Sequence, residues 1–485
     1  MNVLFVNAEA DPFAKVGGLA DVAGSLPKAL RDTGIDARVL MPLYAFIDQA
    51  RWGITYLLSF DVHRRTGTMH VDMYTTTHNG VPIYFIKALP YFGQETTVYS
   101  NWDYDVPRFI FFCQAALDAA VALRDQQGWF PDIFHVHDWH TGLVPFFVSQ
   151  RRWEYGWGHV GTMLSIHNMA YQGEYIGGWA WEQGIPPRNH PELQARDLGD
   201  NMLATAIAYS DMITTVSPRY AVEIQYPYMG YGLQDLLHTR LNDLRGILNG
   251  IDLNQWNPVT DPLLESNFSV DDFVESRPAN KRQLQMESNL EVRDDIPVIG
   301  IVSRLVQQKG LDLALPALRT ILARRDVQFI GLGSGEPEYN EMFSQLGADF
   351  HWKAKCFLGY NAAVAQRIYA GCDIFLMPSH YEPCGTGQMI AMRYGALPLV
   401  RETGGLADTV TNYDNGDADY GTGFVFNWET PEAVVGTLDW ALDTYKNRPQ
   451  AWRRMQDRAM RVDFSWDKSA REYSQLYGWI QDRHR

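Results

Sequence analysis

Short, mostly apolar runs alternate with helical stretches along the whole chain and form two series. Runs of this length between helices are typical of strands buried on both faces of a parallel sheet. Two such series predict two doubly wound α/β sheets. The first series comprises residues 3–6, 37–40, 82–86, 132–137, 162–166 and 212–216, and the second comprises residues 297–302, 327–332, 373–377 and 397–400.

Polar and turn-forming residues cluster between the two series, near residues 245–257. Asn249-Gly250 and Asn257-Pro258 favour turns there. We therefore expect one domain over residues 1–245 and another over 246–462. Residues 463–485 have apolar and aromatic positions at helical spacing, which predicts a packed terminal helix. Because open α/β sheets bind ligands beyond the carboxyl ends of their strands, two facing domains would place a site in the cleft between them.

Composition and charge narrow the class of protein. The 485 residues are 46% hydrophobic and 20% charged, as in ordinary globular proteins. The net charge of −16 repels nucleic acid and anionic membranes, so neither is an expected partner. An anionic substrate would need local positive charge.

The cysteines and the N-terminus indicate a cytoplasmic location. The four cysteines are widely spaced and lack a C-x-x-C pair, which favours reduced thiols. Residues 1–7 have no basic segment or long apolar core, so they predict a first strand and not a signal peptide. No uninterrupted apolar run approaches the roughly 20 residues of a membrane helix.

One glycine-rich segment, Gly-Gly-Leu-Ala-Asp, occurs twice, each time after a predicted strand. It spans residues 17–21, directly after Lys15-Val16, and residues 404–408, directly after Thr403. Paired glycines at a helix start let backbone amides approach an anion. The alternatives are a tight turn with a solvated Lys15, and a chance recurrence.

Two further segments follow strands of the second series. Arg304 and Lys309 lie five positions apart and either grip a diphosphate or belong to a solvated loop. The segment at residues 382–388 joins a carboxylate, Glu382, to a proline and two glycines that leave amides open to an anion. Glu382 would then bind sugar hydroxyls or stabilise positive charge, unless it stabilises a helix N-terminus.

Histidines follow two strands of the first series. Residues 135–140 read His-Val-His-Asp-Trp-His, but a single short cluster is a poor zinc site, and we expect Asp138 and His140 to contact substrate instead. His167 ends the next strand and is either catalytic or structural. The segment Gly-Leu-Gly-Ser-Gly at residues 331–335 is not a full dinucleotide fingerprint and predicts a strand-to-helix turn.

Taken together, these segments resemble the bacterial glycogen synthases and plant starch synthases over essentially the whole chain. One position departs from the family pattern: Thr386 stands where Leu is usual, which affects side-chain packing at the nucleotide site and not the backbone cradle. The matching text is KVGGLADV at residues 15–22, HVHDWHTGL at 135–143, HNMAYQG at 167–173, TVSPRYAVEI at 215–224, GILNGIDLNQWNP at 246–258, NKRQLQ at 280–285, SRLVQQKGLDL at 303–313, EPCGTGQ at 382–388 and TGGLADTV at 403–410.

The resemblance implies the glycosyltransferase B fold, with two Rossmann-like domains facing across a cleft. The helix over residues 463–485 would return to the N-terminal, glucan-binding domain, and the second domain would bind the nucleotide sugar. The implied reaction transfers glucose from ADP-glucose to the non-reducing 4-OH of an α-1,4-glucan with retention of configuration. Some relatives are plastid proteins, but the N-terminus has no transit-peptide pattern.

The resemblance also assigns roles to individual residues. Arg304 and Lys309 would grip the diphosphate, and Lys15 with the amides of Gly17 and Gly18 would approach it from the other domain. His167 would lie against the donor glucose, and Glu382 would bind its hydroxyls. The other substrate-binding positions carried over are Tyr99, Asp138, Asn249, Cys384, Gly385, Thr386, Thr403, Gly404 and Gly405.

The implied chemistry needs no metal and no cofactor. Departure of the leaving group puts negative charge on the diphosphate, and preorganised cations and amides stabilise it. Domain closure would exclude water. A retaining glycosidase would need two carboxylates about 5–5.5 Å apart, whereas the motifs place one.

Other functions remain as alternatives. A UDP-glucose-dependent enzyme, or one that uses a short acceptor or glucose 1-phosphate, would have the same fold. A non-catalytic glucan-binding protein would not need Lys15, His167, Arg304, Lys309 and Glu382 together. A Rossmann dehydrogenase would need the missing glycine fingerprint.

Overall fold

A computed structural model describes residues 1–414 and 420–485 of the chain. These residues form two compact units, which we describe separately. The first unit comprises Met1–Gly250 together with Trp466–Arg485, and the second comprises Ile251–Ser465.

The first unit is built on a mixed sheet that has nine strands among the described residues. The strands are β1 Asn2–Val6, β2 Asp36–Pro42, β3 Thr55–Arg64, β4 Gly67–His78, β5 Val81–Lys87, β6 Ile133–His137, β7 Gly161–Ile166, β8 Met212–Thr215 and β9 Leu244–Gly246. Their spatial order is β3-β4-β5-β2-β1-β6-β7-β8-β9. The run from β5 through β2, β1, β6, β7 and β8 to β9 is parallel, as predicted.

The sheet departs from the prediction at one edge, where β3 and β4 form an antiparallel hairpin and β4 also pairs antiparallel with β5. The prediction of a purely parallel sheet was therefore wrong there. The physical reason is that the hairpin is covered by protein on one face. Buried Leu58, Val62, Val71 and Met73 alternate with more exposed residues, so no uninterrupted apolar run marks these strands.

Helices and short turns connect the strands of the first unit and cover the sheet. The helices are α1 Gly18–Asp32, α2 Trp102–Gln127, α3 Val144–Arg151, α4 Gly177–Glu182, α5 Pro191–Gln194, α6 Met202–Tyr209, α7 Pro218–Glu223, α8 Pro227–Gly230 and α9 Gln234–His238. Helix α2 begins at the Asn101 cap, whose side chain accepts a hydrogen bond from the amide of Tyr104, and ends at Gly128 in the left-handed conformation.

Helix α2 is long and apolar enough to cross a membrane by length and composition alone. However, 78% of its most apolar stretch is buried inside the protein. Core helices of globular units have the same composition, so the burial is explained by packing within this unit.

The second unit contains a parallel sheet with six strands among the residues described. These strands are β10 Val298–Leu305, β11 Gln328–Gly335, β12 Ala354–Leu358, β13 Ile374–Met377, β14 Leu397–Arg401 and β15 Phe424–Phe426. Their order is β12-β11-β10-β13-β14-β15. The chain adds β11 and β12 on one side of β10 and then crosses over to add β13, β14 and β15 on the other side, as in doubly wound folds. The helices that flank this sheet are α10 Phe273–Glu287, α11 Leu311–Arg324, α12 Pro337–Asp349, α13 Ala362–Gly371, α14 Gly387–Arg393, α15 Gly404–Thr409, α16 Pro431–Asn447 and α17 Pro449–Met460.

The glycine-rich segment at residues 331–335 is part of β11 and not the turn that was predicted. Its glycines allow neighbouring elements to approach the strand. A Cβ atom on Gly331 would lie 2.5 Å from the ring of Phe343, and one on Gly333 would lie 2.3 Å from the carbonyl oxygen of Ser303. Close strand and helix packing explains this segment without a ligand.

The last helix, α18 Trp466–Arg483, belongs to the first unit. The hydroxyl of its residue Tyr477 lies 2.7 Å from Nδ1 of His135 in β6, and both groups are buried. Ile480 packs so closely on β7 that a Cβ atom at Gly161 would lie 2.1 Å from its side chain. The helix is therefore anchored to the sheet by apolar packing and by a buried hydrogen bond.

Candidate active site

The candidate site of the first unit lies at the carboxyl ends of three adjacent strands, β1, β6 and β7. Because these strands are parallel neighbours, the residues that follow them meet at one edge of the sheet. Glu9 follows β1, Asp138 follows β6, and His167 follows β7. Sequence reasoning identified Asp138 and His167, and it missed Glu9.

Glu9 connects the loop before α1 to a tyrosine further along the chain. Its Oε2 accepts hydrogen bonds from the amide of Val16 at 2.6 Å and from the amide of Gly17 at 3.1 Å. Its Oε1 accepts one from the hydroxyl of Tyr99 at 2.7 Å. The family resemblance implies that the Gly17 amide approaches a diphosphate. In the structure this amide donates a hydrogen bond to the buried carboxylate of Glu9.

The surroundings of Gly17 and Gly18 are nevertheless open. A Cβ atom built on either glycine meets no other atom within 4 Å. Lys15, beside them, has a half-exposed side chain that forms an ion pair with Asp21 of α1 and lies 3.9 Å from Asp11. The loop therefore presents accessible backbone next to a cation with acidic neighbours.

Asp138 is held against the backbone that follows β7. It adopts a positive φ of 53°, and its Oδ1 accepts hydrogen bonds from the amides of His167 at 2.7 Å and Asn168 at 3.3 Å. Burial raises the pKa of Asp138 to about 7, although the two amide hydrogen bonds oppose this shift. A carboxyl group with that pKa exchanges a proton near neutral pH.

His167 forms a pair with a second histidine that the sequence did not single out. Its Nε2 lies 3.0 Å from Nδ1 of His137, so one of these two nitrogens donates to the other. Burial lowers the pKa of His167 to about 3 and that of His137 well below the usual range. Both rings are therefore neutral at neutral pH, and His137 fixes the orientation of His167.

Tyr99 and Asn249 are two further substrate-binding positions that the family resemblance implies in this unit. Tyr99 stacks on His140 with ring centroids 4.9 Å apart, and burial followed by the charge of Glu9 raises the pKa of its phenol. Asn249 is buried, and its amide oxygen has no hydrogen-bond partner among the described residues. An acceptor of that kind is available to a ligand donor.

In the second unit, Lys309 and Glu382 are in direct contact. Nζ of Lys309 lies 2.6 Å from Oε2 of Glu382, and the hydroxyl of Ser379 donates to the same oxygen at 3.0 Å. Both partners are largely buried. The family resemblance implies that Lys309 binds the diphosphate and that Glu382 binds the sugar. Their contact shows that the two proposed binding groups are neighbours.

The chain around Lys309 allows this contact because Gly310 has no side chain. Gly310 has a positive φ of 69°, and a Cβ atom there would lie 2.0 Å from the carbonyl oxygen of Pro378. The loop after β13 can therefore lie against the start of α11. Arg304, near the end of strand β10, is exposed. In the described structure its side chain contacts Gln308, with NH2 donating to Oε1 at 3.4 Å.

The glycines of the second Gly-Gly-Leu-Ala-Asp segment serve packing. The amide of Gly405 donates to the carbonyl oxygen of Glu382 at 3.0 Å, and a Cβ atom on Gly404 would lie 1.9 Å from that oxygen. This corrects the prediction that the Gly405 amide is open to phosphate. The segment repeats in sequence, but its glycines lie in open space in one unit and against a neighbouring turn in the other.

The remaining predicted positions surround this turn. Gly385 has a positive φ of 71°, as a non-helical turn before α14 requires. Cys384 and Thr403 are buried, and Thr386 is half-buried directly before α14. Gln388 holds the turn, since its Nε2 donates to the carbonyl oxygens of Cys384 at 3.1 Å and Gly385 at 3.0 Å.

No side chains suited to a metal were found in the described part of the chain. Among residues 1–414 and 420–485, no three His, Cys, Asp or Glu side chains form a group that could hold a metal ion. The rings of His135 and His137 stack 4.3 Å apart, and each has a nitrogen near another side chain. Metal independence stays a prediction.

Several residues that hold the predicted site residues in place had a weak sequence signal or none. Glu9 and Ser379 follow strands, a position where functional side chains collect in α/β folds, but no motif marks them. His137 and Gln388 lie inside segments that carried the family resemblance, although no role was assigned to them. In each case the sequence does not reveal which other residue the side chain contacts.

Two α/β units with charged side chains beyond the carboxyl ends of their strands suit many functions, and the comparisons with known proteins identify this chain as a glycosyltransferase. Residues 2–239 match the family described as "Starch synthase catalytic domain", and residues 283–458 match "Glycosyl transferases group 1". The chain belongs to the family of bacterial glycogen synthases and plant starch synthases.

Curated relatives match over the whole length. The chain is 42% identical to a glycogen synthase of Syntrophotalea carbinolica over 100% of both chains. It is 40% identical to a glycogen synthase of Moorella thermoacetica, covering 100% of this chain and 98% of the relative.

Solved structures agree with this assignment. The catalytic domain of starch synthase IV from Arabidopsis thaliana, bound to ADP and acarbose, has a TM-score of 0.89 and 33% identity, with 99% of each chain covered. A sucrose-phosphate synthase from Thermosynechococcus elongatus has a TM-score of 0.63 at 15% identity, again over 99% of each chain, and shares the fold.

Proposed function

We propose that this protein is a glycogen synthase that transfers glucose from ADP-glucose to the non-reducing 4-OH of an α-1,4-glucan with retention of configuration. The second unit binds the nucleotide sugar, and the first unit binds the glucan acceptor. The reaction uses no metal and no cofactor. The location proposed from its bacterial relatives and its reduced cysteines is the cytoplasm.

The contact between Lys309 and Glu382 is the observation that carries this proposal. It sets a cation and a carboxylate side by side at the carboxyl ends of β10 and β13. Arg304 lies near the end of β10. A glucosyl transfer from a nucleotide sugar develops negative charge on the departing diphosphate and positive charge at the anomeric carbon. A paired cation and carboxylate match this separation of charge.

The exposed Arg304 adds a second positive charge for the diphosphate. Few contacts hold its guanidinium in the described structure, so it can turn towards a phosphate at little cost. Arg presents a planar fork that suits phosphate oxygens. The named ligand of the Arabidopsis relative, ADP, is a diphosphate of the kind proposed here.

The first unit supplies groups that suit a sugar. Asp138, with a pKa of about 7, can accept or donate a hydrogen bond to a hydroxyl near neutral pH. The neutral His167 and the open amide oxygen of Asn249 offer further hydrogen bonds. The second ligand of the Arabidopsis relative, acarbose, is consistent with a glucan-like acceptor.

A transfer assay tests the proposal. Purified protein is incubated with glycogen and radiolabelled ADP-glucose, or with UDP-glucose at the same concentration, and precipitated glucan is counted. We expect label in glycogen from ADP-glucose and much less from UDP-glucose. Digestion of the product with an exo-enzyme specific for α-1,4 bonds should then release the label, as retention requires.

Three outcomes would contradict parts of the proposal. A preference for UDP-glucose would overturn the donor assignment, and label resistant to the exo-enzyme would overturn the linkage or the retention. Binding of glycogen without any transfer from either donor would mean that the chain is a non-catalytic glucan-binding protein.

A further inference from the structure

His380 is part of the loop that carries Glu382, and three other elements of the second unit meet it. The loop follows β13, and its residues 378–382 precede the turn before α14. Asp312 reaches His380 from α11, and Glu429 reaches it from the segment after β15. Arg401, the last residue of β14, lies on the other side.

The geometry of the ring requires two donors. Nε2 of His380 lies 2.9 Å from Oδ1 and 3.0 Å from Oδ2 of Asp312, and Nδ1 lies 3.1 Å from Oε2 of Glu429. Carboxylate oxygens accept hydrogen bonds and do not donate them. Both ring nitrogens are thus placed to donate, and only the doubly protonated, charged imidazole can donate from both.

Burial opposes this charge, but the hydrogen bonds to Asp312 and Glu429 outweigh it and raise the pKa of His380 above 6.5. Arg401 also faces the cluster, since its NH1 lies 3.2 Å from Oε1 of Glu429. Tyr339 of α12 lies near Asp312, and burial followed by the charge of that carboxylate raises the pKa of its phenol. Arg401 binds the same carboxylate as His380, so the two cations share Glu429.

The same groups hold the backbone of the loop. The amide of His380 donates to the carbonyl oxygen of Gln308 at 2.9 Å, and Nε of Arg401 donates to the carbonyl oxygen of Ser379 at 2.8 Å. Ser379 in turn donates to Glu382. Gln308 immediately precedes Lys309, so the loop is fastened beside both members of the Lys309–Glu382 pair.

We propose that His380 in its doubly protonated form is a positioning residue: it ties the loop of residues 378–382 to α11 and to Glu429, and so keeps Glu382 in place for glucosyl transfer. This proposal rests on the proposed function, because Glu382 must take part in the transfer. It also implies that turnover depends on pH through the protonation of His380.

Loss of one proton changes the sign of one contact. A neutral imidazole keeps a single N–H, so one ring nitrogen turns a lone pair towards a carboxylate, either Asp312 or Glu429. That contact becomes repulsive, and the loop loses one of its attachments. Turnover should fall as pH rises through the raised pKa. ADP affinity should change little, because the described hydrogen bonds of the His380 ring go to Asp312 and Glu429 and not to Arg304 or Lys309.

The test compares kcat for glucosyl transfer across the range from about pH 6 to about pH 9 in the wild type, His380→Gln and His380→Arg. Glutamine is neutral at every pH, and arginine stays charged and offers a fork of donors. His351→Gln, at an exposed histidine of the same unit, is the matched control. ADP affinity is measured by calorimetry for each variant.

We expect His380→Gln to lose about tenfold or more in kcat at the acidic end, since displacement of a catalytic group by about 1 Å can cost about 10²-fold. His380→Arg should keep most of the activity and should lack the alkaline fall that the wild type shows with a midpoint above 6.5. His351→Gln should follow the wild type. ADP affinity should stay within about twofold throughout.

Different failures have different meanings. If the wild type transfers no glucose from any donor, the proposed function fails. If the wild type is active but His380→Gln and His380→Arg keep its rate and its alkaline fall, the role of His380 is wrong. If His380→Gln unfolds, His380→Arg and a proton NMR titration of the His380 ring in the wild type still test the proposal. A ring that titrates at or below 6.5 contradicts it.

Discussion

Nζ of Lys309 lies 2.6 Å from Oε2 of Glu382, and this contact joins two residues that are 73 positions apart in the chain. The pair is mostly shielded from water, so each charge compensates the other. Under the proposed function, a bound diphosphate would give Lys309 a second anionic partner, and Glu382 would then be partly free to face the sugar.

Arg304→Ala and Lys309→Ala should both reduce kcat about 10²–10³-fold, equivalent to about 2.7–4 kcal/mol, because each removes a charge that stabilises the departing diphosphate. Steady-state kinetics with ADP-glucose and glycogen measures this loss. The effect on KM for glycogen should be small.

The same two variants should differ in stability. Arg304 is exposed, so Arg304→Ala should melt like the wild type. Lys309→Ala leaves Glu382 buried without its cation and should cost up to about 3 kcal/mol. Arg319→Ala, which removes an exposed ion pair with Asp349, is the control and should change neither property. Near-wild-type turnover in both site variants would mean that neither charge stabilises the departing diphosphate.

Asp138→Asn should make stability less dependent on pH. Burial raises the pKa of Asp138 from 3.8 to about 7, so the folded state holds a proton that the unfolded state has lost between these values. The contribution of this group is fully present below about pH 4 and is lost as pH rises to about 7, a total of about 4 kcal/mol.

Urea unfolding at about pH 5 and about pH 8 measures this effect. The advantage of Asp138→Asn over the wild type should grow by about 3 kcal/mol between these conditions. Asp125→Asn, at an exposed carboxylate of α2, should show no such growth. A constant difference between Asp138→Asn and the wild type would mean that Asp138 is ionised throughout, with its two amide hydrogen bonds dominating burial.

Activity should survive removal of divalent metal. In the proposed reaction, Arg304 and Lys309 would supply the positive charge for the diphosphate, so no bridging ion would be needed. The transfer rate after exhaustive dialysis against EDTA should match the starting rate. A loss that Mg²⁺ or Mn²⁺ restores would show that a metal shares the diphosphate.

The strands that sequence reasoning located are those buried on both faces. All ten apolar runs coincide with strands, because two-sided burial leaves an uninterrupted apolar signal. The hairpin of β3 and β4 was missed because one of its faces is more exposed. Strands β9 and β15 have only three residues each, and in β12 Lys355 interrupts the apolar residues, so none of the three forms an apolar run that stands out from loops.

The candidate site was predictable as a set of residues and not as a set of contacts. Lys309 and Glu382 were both identified, but their pairing depends on how Gly310 lets two loops approach. Glu9 was missed because a lone acidic residue after a strand has no distinctive neighbours. The role of Gly405 was misjudged since a glycine in a sequence does not reveal which atom its amide faces.

The central claim is that Glu382 acts on the donor sugar, and Glu382→Gln tests it most directly. At about 6 Å and an effective dielectric constant of about 20, the carboxylate repels a bound diphosphate charge by about 3 kcal/mol. Glutamine keeps the shape and most hydrogen bonds but removes this repulsion. The variant should bind ADP at least as tightly as the wild type. It should still fold, but it leaves the largely buried Lys309 without its carboxylate and should therefore lose stability, by up to about 3 kcal/mol, as is expected of Lys309→Ala.

The deciding measurement combines calorimetry of ADP binding with the glucosyl transfer rate of Glu382→Gln. The account predicts unchanged or tighter ADP binding together with a loss of transfer of about 10²-fold or more. Weaker ADP binding with transfer within a few-fold of the wild type would contradict it. Glu382 would then serve only to hold Lys309 and the turn before α14.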